Sequence, residues 1–208
     1  MKKLCYISVL LLLAAGACKK NKDYTPPKQQ DLWPLAMGNS WTYKVTDYTA
    51  DGASIDGGII TYTIDASKTF NGKTYYGISS MNQYCENESN TLYETDSTGS
   101  YFRILAKSVE YTDTLFKQAA TYNINGTDYT GTMARVASAY GTVINNYTCV
   151  EITDIYMDAT GKLGKKVVAY YSPGTGPVSF LYYSNPEHPN SDSVYRTEGL
   201  ILDQVSLQ

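Results

Sequence analysis

From Leu32 onward the apolar residues recur at every second position rather than every third or fourth, and this period constrains the fold more than any other feature. Ser40–Tyr48 sets Trp41, Tyr43 and Val45 against Thr42, Lys44 and Thr46, and Gly58–Ser67 sets Ile60, Tyr62 and Ile64 against Thr61, Thr63 and Asp65. Each reads as a strand with one buried face. Turn chemistry cuts the pattern at Asp51-Gly52, Asp56-Gly57-Gly58, Asn71-Gly72, Ser97-Thr98-Gly99, Asn125-Gly126, Thr160-Gly161 and Pro173-Gly174. Asn71-Gly72, between 66–70 and 73–78, is a hairpin signature because both central residues tolerate positive φ. Further strands are expected over 91–96, 100–106, 108–116, 129–137, 147–157, 165–172, 177–183 and 194–206. Leu115–Tyr122 is the best helix candidate, but it is short, poorly capped and equally able to continue a strand. Strands joined by short turns predict an all-β, mostly antiparallel meander, as a curled half-barrel or a two-layer sandwich with few or no helices.

The first residues follow another rule. Met1-Lys2-Lys3 is a positive start, residues 4–13 are apolar but too short to span a bilayer as a stable helix, and Ala15-Gly16-Ala17 places small residues before Cys18. This resembles a bacterial lipoprotein signal with its lipobox. The resemblance implies removal of residues 1–17 and attachment of palmitate-type acyl chains to Cys18; an ordinary secretory signal cut near Ala17 is the alternative. Residues 18–31 are polar, proline-bearing and aperiodic, a tether, and 32–208 form a single β domain. Lys19 after the cysteine resembles the Gram-negative sorting pattern for the outer membrane. The charged run Lys19–Asp23 resembles the export tags of surface lipoproteins and equally reads as a solvated tether, so the face of the membrane stays open.

Loss of Lys2 and Lys3 with the leader takes the formal charge from −3 to about −5. That balance disfavours nucleic acid, which selects a basic face. Of four cysteines, Cys5 leaves with the leader and Cys18 carries lipid, so Cys85 and Cys149 are the candidate disulfide, with two free thiols as the alternative. Catalytic signatures are sparse. His188, the only histidine, sits in a proline-broken loop, and there is no Gly-x-Ser-x-Gly, phosphate loop, Cys-x-x-Cys or dinucleotide fingerprint, hence no expected cofactor, metal or catalytic residue. Glu86, Glu88, Glu94, Glu151 and Glu198 offer carboxylates for a hydrolase if two of them face one cleft about 5–10 Å apart. Asp47, Asp51 and Asp56 surround a turn, without the spacing of a calcium loop.

Tyrosine is the compositional outlier, with 21 residues against 4 Phe and 2 Trp. Tyr suits a half-wet pleated surface, and it also lines clefts where rings stack on sugars or cover a lipid tail. The pairs Tyr75-Tyr76, Tyr170-Tyr171 and Tyr182-Tyr183 place one ring on each face of a strand, which makes Tyr76, Tyr171 and Tyr183 candidate ligand-stacking residues. Trp33-Pro34-Leu35-Ala36-Met37-Gly38-Asn39-Ser40-Trp41-Thr42-Tyr43 resembles the Pro-Leu-x-x-Gly-Asn-x-Trp-x-Tyr opening of uncharacterised Gram-negative envelope lipoproteins. Tyr170–Val178 resembles their Tyr-x-x-Gly-x-Gly-x-Val segment, with Thr175 where an aliphatic residue is usual. The resemblance implies a β-rich envelope protein and no established catalytic residue. Three function classes follow: a noncatalytic domain binding a glycan, a lipid or an envelope protein; a structural or assembly lipoprotein docking a partner along a sheet edge; and a carboxylate-dependent hydrolase.

Overall fold

The computed structural model describes residues 30–184 and 194–208; the leader, Cys18, most of the tether and His188 lie outside the described residues. The strands are β1 (Ser40–Tyr48), β2 (Ser54–Thr63), β3 (Ala66–Phe70), β4 (Lys73–Ile78), β5 (Gln83–Glu88), β6 (Thr91–Thr95), β7 (Arg103–Lys107), β8 (Asp113–Ile124), β9 (Thr127–Ala137), β10 (Thr142–Ile144), β11 (Tyr147–Asp158), β12 (Leu163–Ser172), β13 (Gly176–Ser184) and β14 (Tyr195–Ser206). Among the described residues the helical content is one 3-10 turn, Ser79–Met81. No helix there is long and apolar enough to cross a membrane.

Among the described residues all strand pairings are antiparallel. The larger sheet runs β2-β1-β14-β13-β12-β11-β9-β8, with β10 on β11, and the smaller runs β3-β4-β5-β6-β7. Neither closes on itself, so the fold is a curled two-layer sandwich rather than a barrel. The chain starts in the larger sheet, leaves it at Ile64-Asp65, builds the smaller sheet as a meander, and returns through 108–112. The exit corner is tied by backbone bonds from Gly38 N to Ile64 O, Ile64 N to Asn39 O and Asp65 N to Gly77 O. The Asp65 carboxylate takes the Ser79 amide and hydroxyl.

The core lies between the layers. Trp41, Tyr43, Val150, Ile152, Ala169, Tyr171 and Leu200 of the larger sheet meet Ile78, Cys85, Leu92, Leu105 and Ala106 of the smaller, with Leu32 and Trp33 sealing one end. Trp41 and Tyr43 are fully buried while Lys44 is exposed, as the alternation in β1 requires. Asn71 and Gly72 have φ of 51° and 78°, matching the expected hairpin, and Asn125 and Gly126 repeat it at 49° and 80° between β8 and β9.

Three elements depart from the sequence reading. Of the strand expected over 108–116 only 113–116 is strand, as the start of β8, which runs on through Leu115–Tyr122 as the strand alternative for that segment allowed. β5, Gln83–Glu88, is not among the expected strands, because Gln83, Cys85 and Asn87 face inward and two of the three are polar, so no apolar alternation marks it. Asn145 and Asn146 both adopt positive φ and close the short β10–β11 hairpin, a turn without glycine. Cys85 and Cys149 are buried free thiols. Cys85 faces the core between the sheets, whereas Cys149 alternates with the core residues Val150 and Ile152 and so points to the other face of β11, away from Cys85.

Candidate functional site

The two motifs at the ends of the domain meet in space. Trp41 Nε1 donates to Thr175 O at 2.7 Å, and the Tyr43 hydroxyl donates to Pro177 O at 2.7 Å. The Trp41 bond goes to the backbone carbonyl of Thr175 and so does not depend on the side chain at that position. Trp33 packs edge-on against Trp41 with ring centroids 5.4 Å apart. A Cβ at Gly176 would lie 2.7 Å from Trp33 Cδ1, and φ there is +96°, so glycine is demanded twice over. Asn39 closes the assembly: its side-chain nitrogen donates to Pro34 O at 2.7 Å and its oxygen accepts from Gln208 N at 2.7 Å. Of these residues Trp33, Tyr43 and Pro177 also line a cavity.

That cavity lies between the layers, with a volume of about 140 Å³. The larger sheet gives it Tyr43, Tyr62, Ile152, Val167, Ala169, Tyr171, Phe180 and Tyr182, and the smaller gives Ile78, Gln83 and Leu105, with Met81 and Trp33 at the ends. Met81 is 48% exposed and Tyr62 and Tyr182 are half-buried, which marks the mouth. Burial, with the neighbouring Tyr62 and Glu198, pushes the Tyr182 phenol up to about 12. Burial likewise raises the Tyr43 and Tyr171 phenols, so the rings present neutral walls.

One end of the cavity is polar and fully paired. Arg135 on β9 is 5% exposed and sits directly across from Asp154 on β11. Its Nε and Nη2 donate to the two Asp154 oxygens at 2.6 and 2.7 Å. Nη1 crosses to the smaller sheet, donating to Glu94 Oε1 at 2.6 Å and Ile104 O at 3.1 Å. Arg103 Nε adds a second bond to Glu94 Oε1 at 2.7 Å, and Gln83 supplies Glu94 Oε2 at 2.8 Å. Phe116 covers both guanidinium groups, at 5.2 Å from Arg135 and 5.7 Å from Arg103. Burial would raise the Glu94 carboxyl, but Arg135 and Arg103 outweigh it and hold the group below its usual range. Two carboxylates against two guanidiniums leave the cavity end electrically balanced.

The predicted stacking tyrosines separate. Tyr171 lines the cavity, Tyr76 packs at the margin of the core opposite Cys85, and Tyr183 faces outward beneath Lys166 Nζ at 4.6 Å. Tyr182, not Tyr183, joins Tyr171 inside, and its parity with Val178 and Phe180 carried that information. Arg135 and Asp154 had no comparable signal, because a charged residue at an inward position breaks the alternation that would reveal it. Asp51 and Asp56 accept bonds within their own turns, from Ala53 N and Gly58 N. Among the described residues no three His, Cys, Asp or Glu side chains are grouped to hold a metal ion.

No protein-family profile matches the chain, and no curated protein is similar to it. Two solved structures are similar. One is a Bacteroides fragilis protein named for export and a YmcC-like fold, with 10% identity, a TM-score of 0.40, and 86% of this chain and 100% of that one covered. The other is a Parabacteroides distasonis protein named as a lipoprotein, with 11% identity, a TM-score of 0.37 and the same coverage, 86% and 100%. At such identities and scores the likeness carries neither mechanism nor ligand across.

Proposed function

We propose that this protein is an envelope lipoprotein, anchored to the outer membrane through acylated Cys18, whose noncatalytic β domain holds an uncharged apolar group between its two sheets. The anchor rests on the leader residues. In a Cys18→Ala variant the protein leaves the membrane fraction and ceases to incorporate labelled palmitate; a variant that stays membrane-bound contradicts it.

The observation that carries the ligand reading is the cavity of about 140 Å³, walled by aromatic and aliphatic side chains and closed by a charge-balanced end. An engineered apolar cavity of about 150 Å³ in another protein stays dry and takes benzene, so this one suits a ring or the end of an acyl chain. Among the described residues both guanidiniums at the closed end, Arg103 and Arg135, are paired with carboxylates, which disfavours a ligand carboxylate there. Titration of the full chain carrying Cys18→Ser, followed by the chemical shifts of cavity side chains, tests this. 1-Octanol saturates one site, and octanoate binds at least tenfold more weakly. Equal binding of the two, or none of either, contradicts the reading.

The edge strand β2 supports a second use. Nine of its ten residues are exposed, among them Ile55 and Ile59, and among the described residues no strand pairs its outer edge. Such an edge accepts an added strand from a partner. Ile59→Lys abolishes that docking and leaves the cavity unaffected.

A further inference from the structure

Beyond Tyr182 the inner face of the larger sheet carries a second, polar pocket of about 210 Å³, and Tyr182 lines both it and the internal cavity. On β12 the inward positions run from Ala169 and Val167, which line the cavity, to Lys165, which lines the pocket. On β13 they run from Phe180 and Tyr182 to Ser184 in the same way. Val167 pairs with Tyr182 and Lys165 with Ser184, and Glu198 on β14 lies directly across from Tyr182. Facing these strands, the β8–β9 hairpin contributes residues 123–125, of which Ile124 is buried. The cavity and the pocket are therefore neighbouring compartments on one face of the sheet, apolar on one side of Tyr182 and polar on the other.

The pocket holds one carboxylate and one ammonium that do not neutralise each other by contact. Among the described residues neither Lys165 nor Glu198 forms a salt bridge. They stand two strands over and two residues along, which by strand geometry separates their Cα atoms by about 12 Å. Both are half-buried, so a solute in the pocket can reach them. Burial and the neighbouring Asp47 raise the Glu198 carboxyl. Thr197 donates its hydroxyl to Tyr182 O at 3.2 Å and keeps its lone pairs for a donor, whereas Asn123 is occupied by Asp128 and the Gly126 amide. The open groups thus include acceptors at Glu198 and Thr197 and a donor at Lys165, with no net charge. A charged head is attracted by one of Lys165 and Glu198 and repelled by the other, while a hydroxyl donates to the first kind of group and accepts from the second.

We infer that the ligand is an amphiphile with an uncharged polyol head: its apolar end fills the internal cavity, and its head sits in the polar pocket, donating hydroxyls to Glu198 and accepting from Lys165. The inference rests on the reading of the cavity as the seat of an apolar group, and it adds the chemistry of the end left outside.

The test compares four solutes with the same tail, 1-octanol, octyl glucoside, octylphosphocholine and octylammonium, each titrated below micelle formation into the full chain carrying Cys18→Ser. Octyl glucoside binds at least tenfold more tightly than 1-octanol and more tightly than either charged-head solute. Glu198→Ala and Lys165→Met each bring it to within threefold of 1-octanol, while 1-octanol itself changes less than threefold, which also shows that the variants fold. Ala169→Phe, which fills the cavity, abolishes binding of both. If 1-octanol binds but the glucoside gains nothing over it, the head assignment falls and the cavity reading stands. If the glucoside binds and is indifferent to Ala169→Phe, both fall, as they do if neither solute binds. The inference is also overturned if the glucoside's advantage survives both Glu198→Ala and Lys165→Met, or if octylphosphocholine or octylammonium binds more tightly than the glucoside.

Discussion

Arg135 ties the two sheets together through charge. It grips Asp154 on its own sheet with two bonds and reaches Glu94 on the other, all three being largely removed from water. Such a group adds little net stability over an apolar substitute, but loss of one member strands a buried charge. Arg135→Ala is accordingly expected to destabilise the domain by about 3–5 kcal/mol in urea denaturation. The same group sets the acid response. The Glu94 carboxyl is held below its ordinary 4.5 by Arg135 and Arg103, against the opposing effect of burial. Its contribution is therefore complete above that ordinary value, where native and unfolded carboxyls are both ionised. It is lost as the pH falls through the lowered native value, because the unfolded chain takes the proton first. Melting temperature followed between about pH 5 and pH 3 should fall more steeply in the natural protein than in Glu94→Gln. The thiols behave oppositely: burial pushes Cys149 up to about 11 and raises Cys85 well above its usual range. Both should resist a thiol reagent at neutral pH in the folded state and react on unfolding; fast reaction of either in the native protein would contradict their burial.

Among the elements, the hairpins test how backbone conformation and packing combine. Gly72 and Gly176 both sit at positive φ, but a Cβ at Gly72 meets open space whereas one at Gly176 meets Trp33 and Trp41. Gly72→Ala should cost about 1–2 kcal/mol from the backbone alone, and Gly176→Ala clearly more, as read by thermal unfolding of the two variants side by side. Equal costs would mean that the Trp33–Trp41 contact yields freely. The β1 strand and the Asn-Gly hairpins were legible in the sequence because their apolar residues alternate cleanly and their turn residues match the φ they must adopt. β5 was not legible, since Gln83 and Asn87 point inward to bond Glu94 and the Trp33 carbonyl, and inward polar residues erase the period. β8 was ambiguous for a related reason: as an edge strand it is half-exposed on both faces, so neither period dominates Leu115–Tyr122.

For the whole molecule, strand order decides what alternation leaves open. Two-residue periodicity says which side chains are buried, but not that β3–β7 form their own layer or that Ile64-Asp65 is the corner leading into it. Without that partition, Tyr171 and Tyr182 of one sheet and Gln83 and Leu105 of the other are unrelated positions; with it they surround one space. The candidate site was therefore visible in the sequence as a surplus of tyrosine and as two motifs, and hidden as an enclosure. Apart from the paired Arg135–Asp154 end this enclosure is walled by apolar and aromatic side chains, and the proposed function requires it to be dry and open to an uncharged ligand. Diffraction from a crystal of the Cys18→Ser chain pressurised with xenon tests it most directly, because a dry apolar cavity takes up the gas and a hydrated one does not. The expected result is a xenon peak beside Ala169 and Tyr171 that disappears in Ala169→Phe. Ordered water at that position, or collapse of the surrounding side chains into the space, would contradict it.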